Sequence, residues 1–156
     1  MSPMIDALKN FFDQKLSPDE ASDEAQRLKQ FELASAALMV ELMETDHELD
    51  ERESREFVRV LQETFALDNG ETEEIVSLAR ETARDATSLY EFTRLINDHY
   101  SYPDKVLLIE NLWRLAFADD RLDKYEEGLI RRVADLIHVR HGDFIQAKLK
   151  VRGSGS

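Results

Sequence analysis

Residues 106–126 read Val106-Leu-Leu-Ile-Glu110-Asn-Leu-Trp113-Arg-Leu-Ala-Phe-Ala118-Asp119-Asp-Arg-Leu122-Asp123-Lys-Tyr-Glu126. Up to Ala118 only Glu110, Asn111 and Arg114 interrupt the apolar residues. That is too continuous for a helix with one dry face and too broken for a bilayer span, which needs about 18 apolar residues. It describes a helix buried on most sides, with Trp113 as core. The acidic run ends that helix, and Leu129, Ile130, Val133, Ala134, Ile137 and Val139 then return at helical spacing. The stretch is a buried helix, an acidic bend and an amphipathic helix.

The same arrangement is written once before. Asp46-His-Glu-Leu49-Asp50-Glu-Arg-Glu53 repeats the Asp, Leu, Asp and Glu of Asp119, Leu122, Asp123 and Glu126. Leu28–Met43 is apolar nearly all round, and Phe57, Val58, Val60, Leu61, Phe65 and Leu67 follow as an amphipathic helix. Setting 33–64 against 106–137 places Leu33 on Val106, Met39 on Leu112, Leu42 on Leu115, Phe57 on Ile130 and Val60 on Val133. The pattern predicts two pseudo-symmetric helix–loop–helix units around two central apolar helices.

The rest of the chain is also helical in character. Five Gly and three Pro among 156 residues, beside abundant Ala, Leu, Glu and Arg, give an all-α fold class. Met4, Leu8, Phe11, Phe12 and Leu16 place a short helix over 3–15, and Ser17-Pro18 signals the next helix start. Asp68-Asn69-Gly70 is a turn that ends a helix, Glu71 to Thr87 a weaker helix with a small-residue face. Thr87 or Ser88 caps a helix through Leu89, Phe92, Leu95 and Ile96, and Ser101-Tyr-Pro103 opens the second apolar one. One domain over 1–152 is expected, with an N-terminal helix and connector over 1–20. Gly153-Ser-Gly-Ser156 reads as an appended tail.

Charge and composition exclude several functions. A net charge of −13 argues against nucleic acid as a partner and suits cations or basic proteins. Arg131, Arg132, Arg140, Lys148, Lys150 and Arg152 cluster late and read as a solvated helical face. The absence of cysteine removes disulfides, thiolate metal sites and thiol catalysis, and agrees with a cytoplasmic location. The N-terminus lacks a secretory layout, and no transmembrane segment is present. His99, His138 and His141 have no zinc spacing and read as surface or helix-end residues. No phosphate loop, nucleophile elbow or oxyanion hole accompanies the paired carboxylates, so no catalytic residue is assigned.

The two bends carry the functional signal. Asp50 with Glu53, and Asp123 with Glu126, fit a capping box in which the Asp accepts from an orphan backbone N–H and the Glu reaches back. Capping does not account for Asp46 and Asp119, placed where a helix C-terminus disfavours an anion. A cation would offset that cost. Carboxylate and carbonyl oxygens suit Ca²⁺, Mg²⁺ or Mn²⁺, so Asp46, Asp50, Glu53, Asp119, Asp123 and Glu126 are the candidate metal ligands. An EF-hand is excluded: its sixth and twelfth positions would be Glu51 and Phe57, or Lys124 and Ile130.

With these residues in place the chain resembles the TerB-like tellurite-resistance family. Ala118-Asp119-Asp120-Arg121-Leu122-Asp123-Lys-Tyr-Glu126 is similar to that family's Ala-Asp-Gly motif, and Thr45-Asp46-His47-Glu48-Leu49-Asp50-Glu-Arg-Glu53 is a looser copy. The resemblance covers roughly residues 30–140. It implies a compact bundle of about seven helices, an acidic metal-binding surface, and stress or tellurite-resistance roles through partner proteins, some membrane-associated. The motif Gly is replaced by His47 and Asp120, residue types that tolerate left-handed backbone. His47 stands either as a ligand or as a helix cap.

The expected function is therefore a non-catalytic module that binds a divalent cation weakly at its bends and acts through protein partners. The alternative is a metal-free interaction adaptor with an acidic docking surface. A metal-dependent hydrolase ranks third. The sequence leaves the oligomeric state open.

Overall fold

The computed structural model describes residues 9–10, 12–13, 24–45, 51–82, 88–118 and 123–154. Among these residues the chain forms seven long helices and no strand: α1 (Glu24–Thr45), α2 (Glu51–Phe65), α3 (Asn69–Thr82), α4 (Ser88–His99), α5 (Tyr102–Ala118), α6 (Asp123–Leu136) and α7 (His141–Ser154). The expected all-α bundle of about seven helices is what the chain adopts.

Helices α1 and α5 are central because they have almost no polar face. Every residue from Ala34 to Glu41 is buried, as are Leu108, Ile109, Asn111, Leu112, Trp113, Leu115 and Ala116. The two pack against each other, α1 also against α2, α3 and α4, and α5 also against α2, α6 and α7. Burying polar groups at this seam requires partners. Asn111 Nδ2 donates to Ser35 Oγ (3.3 Å), and Ser35 Oγ donates to the Phe31 carbonyl (2.7 Å).

The outer helices are amphipathic. Phe57, Leu61 and Phe65 form the buried stripe of α2, while Arg59 on its wet side pairs with Glu56 (3.5 Å) and Glu63 (3.6 Å). Such surface pairs contribute only about 0.3–0.5 kcal/mol each, so the stripe holds the helix. Phe12 is fully buried against the rings of Phe92, His99 and Tyr100, which ties this early residue to α4. Burial, and then Asp104, push the Tyr100 phenol well above its ordinary pKa.

The offset seen in the sequence reappears in the helix bounds. α1 ends at Thr45 and α5 at the equivalent Ala118; α2 begins at Glu51 and α6 within one residue of the equivalent position. Met39 and Leu112 are both buried, as are Phe57 and Ile130. Val60 is half-buried where Val133 is fully so.

Two expectations need correction. Asp68-Asn69-Gly70 does not end α2: Asn69 and Gly70 are the first turn of α3. The left-handed residue of that junction is Ala66 (φ 51°), and no described glycine has positive φ. The late basic residues are also more than a solvated face. Lys148 pairs with Glu127 (3.1 Å) and lies over the Trp113 ring, Lys150 pairs with Glu110 (2.8 Å), and Arg131 covers Phe144. Tyr102 O–H donates to Asp143 and accepts from Arg140 N (3.1 Å) and Nε (3.2 Å), fixing the start of α7 on the start of α5. Arg132 and Arg152 are exposed, as expected.

Candidate functional site

Of the predicted site residues, Asp46, Asp50 and Asp119 lie outside the described residues. Glu53, Asp123 and Glu126 fall in the first turns of α2 and α6, but their side chains lie outside the described set. What the structure does fix is the frame around the bends. α1 stops one residue before Asp46 and α5 one residue before Asp119, and neither helix has a basic residue in its last turn. Each end carries the negative pole of its helix dipole, with no basic residue in its own last turn beside it. Among the described residues no three His, Asp or Glu side chains gather into a metal-sized cluster.

A third junction shows what part of the motif does. Leu67-Asp68-Asn69-Gly70-Glu71 carries the same Leu-Asp-x-x-Glu as Leu49–Glu53 and Leu122–Glu126. Here the pattern is a reciprocal capping box. Glu71 N–H donates to Asp68 Oδ1 (2.7 Å), and Asp68 N–H donates to Glu71 Oε1 (3.0 Å). Lys29 Nζ from α1 pairs with the same Glu71 oxygen at 3.4 Å. A Cβ on Gly70 would stand 3.3 Å from Asp68 Oδ1, so this glycine leaves room for the cap rather than bending the chain. In the sequence the Asn69-Gly70 pair, a turn signal, obscures this box.

The helix that precedes the box ends without glycine. Leu67 N–H donates to the Gln62 carbonyl (3.0 Å) across left-handed Ala66. α6 ends the same way: Val139 N–H bonds Ala134 O (2.8 Å) and His138 N–H bonds Asp135 O (3.2 Å), with His138 left-handed (φ 63°). Both are Schellman closures in which an L-residue fills the position glycine favours. His138 is thus the helix-end residue its sequence position implied.

A separate cleft of about 560 Å³ opens along one face of α5. Leu107, Phe117 and Val151 supply apolar wall, and Glu110, Arg114 and Lys150 supply charge. Arg114 is anchored: NH1 donates to Asn111 Oδ1 (3.2 Å) and faces Glu32 (3.6 Å), NH2 donates to the Thr64 carbonyl (3.4 Å), and the guanidinium lies over Phe65. It closes the C-terminal end of α2 while remaining 43% exposed. The hydrogen bond from Lys150 to Glu110, with that carboxylate's charge, pushes the ammonium pKa up. Phe117 is 40% exposed and stacks on buried Trp113 at 5.7 Å. In the sequence Glu110 and Arg114 register only as breaks in an apolar helix, and Lys150 as part of the late basic cluster; the cleft exists because α7 lies beside α5.

No described helix is long and apolar enough to cross a membrane. Neither comparison with curated proteins nor comparison with solved structures gives a match. The family description "Tellurite resistance protein TerB" matches residues 32–149, a span that holds both acidic bends and five of the seven helices whole. Well over half of the chain is covered, and the chain belongs to the TerB family.

Proposed function

We propose that the chain is a non-catalytic TerB module whose two acidic bends hold a divalent cation weakly and whose tellurite-resistance or stress role is exercised through partner proteins. One observation carries the cation reading. The Leu-Asp-x-x-Glu motif at 67–71 is fully used as a helix cap, and four positions before Asp68 stands Thr64, not Asp. The two bends add Asp46 and Asp119 at that fourth position, just beyond helices with no basic residue in their last turn. Capping gives those two carboxylates no role, and a helix C-terminus opposes them.

The donor chemistry fits a hard cation. Asp46 and Asp119 would join the carbonyl oxygens of the helix ends, with Asp50, Glu53, Asp123 and Glu126 as further carboxylates, for Ca²⁺, Mg²⁺ or Mn²⁺. Bound cation would supply charge neutralisation and a fixed bend for a partner to recognise. That Ala66 and His138 adopt left-handed backbone at helix ends supports the same role for His47 and Asp120. Thermal unfolding followed during titration with each ion tests the reading, because an ion that binds only the folded state raises the midpoint. An unmoved midpoint at millimolar ion overturns it and leaves the metal-free adaptor.

A further inference from the structure

The seam that holds the α5 cleft has a counterpart in the other half of the fold. α3 and α7 are both 14 residues long and each follows the amphipathic helix of its half, so that Asn69-Gly70 falls on His141-Gly142. α3 packs on α1 as α7 packs on α5. Where the α5–α7 seam has Glu110, Asn111 and Lys150, the α1–α3 seam has Ala37, Leu38 and Leu78, the first two buried and the third packed on the core. Apolar side chains line one seam, and the other opens as a cleft of about 560 Å³, within the range of small-molecule sites, about 300–1,000 Å³. We propose that this cleft binds a small neutral aliphatic alcohol, its hydroxyl toward Thr64 and its body along Leu107, Phe117 and Val151.

The lining selects a ligand without charge. Arg114 faces Glu32 (3.6 Å) and Lys150 pairs with Glu110 (2.8 Å), so every charged side chain of the cleft already has its counter-charge. A charged ligand would lose hydration there and gain no partner, whereas a neutral one loses little. Leu107, Phe117 and Val151 call for an aliphatic body: Phe117 is exposed on one side, stacks on buried Trp113 on the other, and is covered at a hydrophobic gain. The neutral polar groups fix the remaining chemistry. Asn111 Nδ2 donates to Ser35, and Asn111 Oδ1 accepts from Arg114. Thr64 Oγ1 gives its proton to the Val60 carbonyl (2.7 Å), which leaves that hydroxyl as an acceptor. A ligand group that meets it must donate, and an O–H donates without carrying charge.

Hexan-1-ol is the probe, with hexanoate and hexylammonium at pH 7 as charged analogues of the same chain. Ligand-detected NMR titration across the millimolar range is expected to show saturable binding of hexan-1-ol, with both ions at least about tenfold weaker. Thr64→Val keeps the side-chain shape and removes the acceptor, and is expected to weaken hexan-1-ol about fivefold, the loss of one neutral hydrogen bond. Phe117→Ala is expected to weaken it about fivefold or more through lost apolar contact. Because Phe117 is exposed on α5, this second variant decides the matter if Thr64→Val unfolds. Asp119→Asn is expected to leave hexan-1-ol affinity unchanged, which keeps this site distinguishable from the cation site. Unsaturable binding, equal affinity for hexanoate or hexylammonium, or full affinity in folded Thr64→Val or Phe117→Ala overturns the proposal.

Discussion

The junction at residues 66–71 and the bends at 46–53 and 119–126 share the letters Leu-Asp-x-x-Glu, and they differ in what stands before them. At the junction the carboxylates of Asp68 and Glu71 are consumed by backbone N–H groups and by Lys29. Both anions sit at the positive end of α3, where the dipole favours them. The bends carry that same pair and one Asp more, at the negative end of the preceding helix. The comparison separates a structural motif from a surplus. Carboxylates that begin a helix stabilise it without help, whereas carboxylates that end one need a counter-charge.

The largest expected effect is at the junction. Asp68→Ala removes the acceptor for Glu71 N–H and leaves Glu71 without its reciprocal partner, so urea denaturation should show a loss of about 1–2 kcal/mol. This loss should not depend on divalent cations. The bends should respond to cations instead: at an ion concentration tenfold above its Kd, folding gains about 1.4 kcal/mol, read as a higher thermal midpoint. A gain of that kind that survives Asp119→Asn would place the ion elsewhere. Next in size is Ala66→Gly. An L-residue in left-handed backbone costs about 1–2 kcal/mol, and glycine's extra unfolded-state freedom returns about half of that. The variant should therefore be more stable by about 0.5–1 kcal/mol, with no change in any cation response.

How far the sequence could be read depended on whether a feature is local. The burial of α1 and α5 follows from apolar residues on nearly every face, so both central helices and the all-α class were evident. Ser101 and Pro103 marked the start of α5 correctly, since Ser101 Oγ accepts from Asp104 N–H (3.4 Å). The Asn69-Gly70 pair misled because glycine permits a turn without requiring one; the energetically decisive pattern was the Asp68/Glu71 spacing around it. Ala66 carries no local signal for left-handed backbone, since alanine is among the best helix formers; it stands between the end of α2 and buried Leu67. The α5 cleft was invisible for a different reason. Glu110, Arg114 and Lys150 are 40 residues or fewer apart in sequence but meet only when α7 docks on α5. The bends themselves were the clearest motif in the chain, yet the six carboxylates named there are the ones whose side chains lie outside the described residues.

The smallest effect has the most diagnostic sign. Without divalent ions, Asp119→Asn removes an anion that follows the last residue of α5, a helix end with no basic residue of its own. Relief of the unfavourable dipole interaction should raise stability by a few tenths of a kcal/mol, the low end of the roughly 0.3–1 kcal/mol such charges contribute. Asp68→Ala moves stability the other way, so the two substitutions, each removing one aspartate charge, should differ in sign. With a saturating ion the order inverts for Asp119→Asn: the unsubstituted chain gains the binding free energy and the variant does not. Measuring both variants by urea denaturation, with and without Ca²⁺, fixes Asp119 as surplus charge awaiting a cation or as one more cap. A stability loss in Asp119→Asn without any ion would mean that the carboxylate already has a partner in the folded chain, and the cation would have no task at that bend.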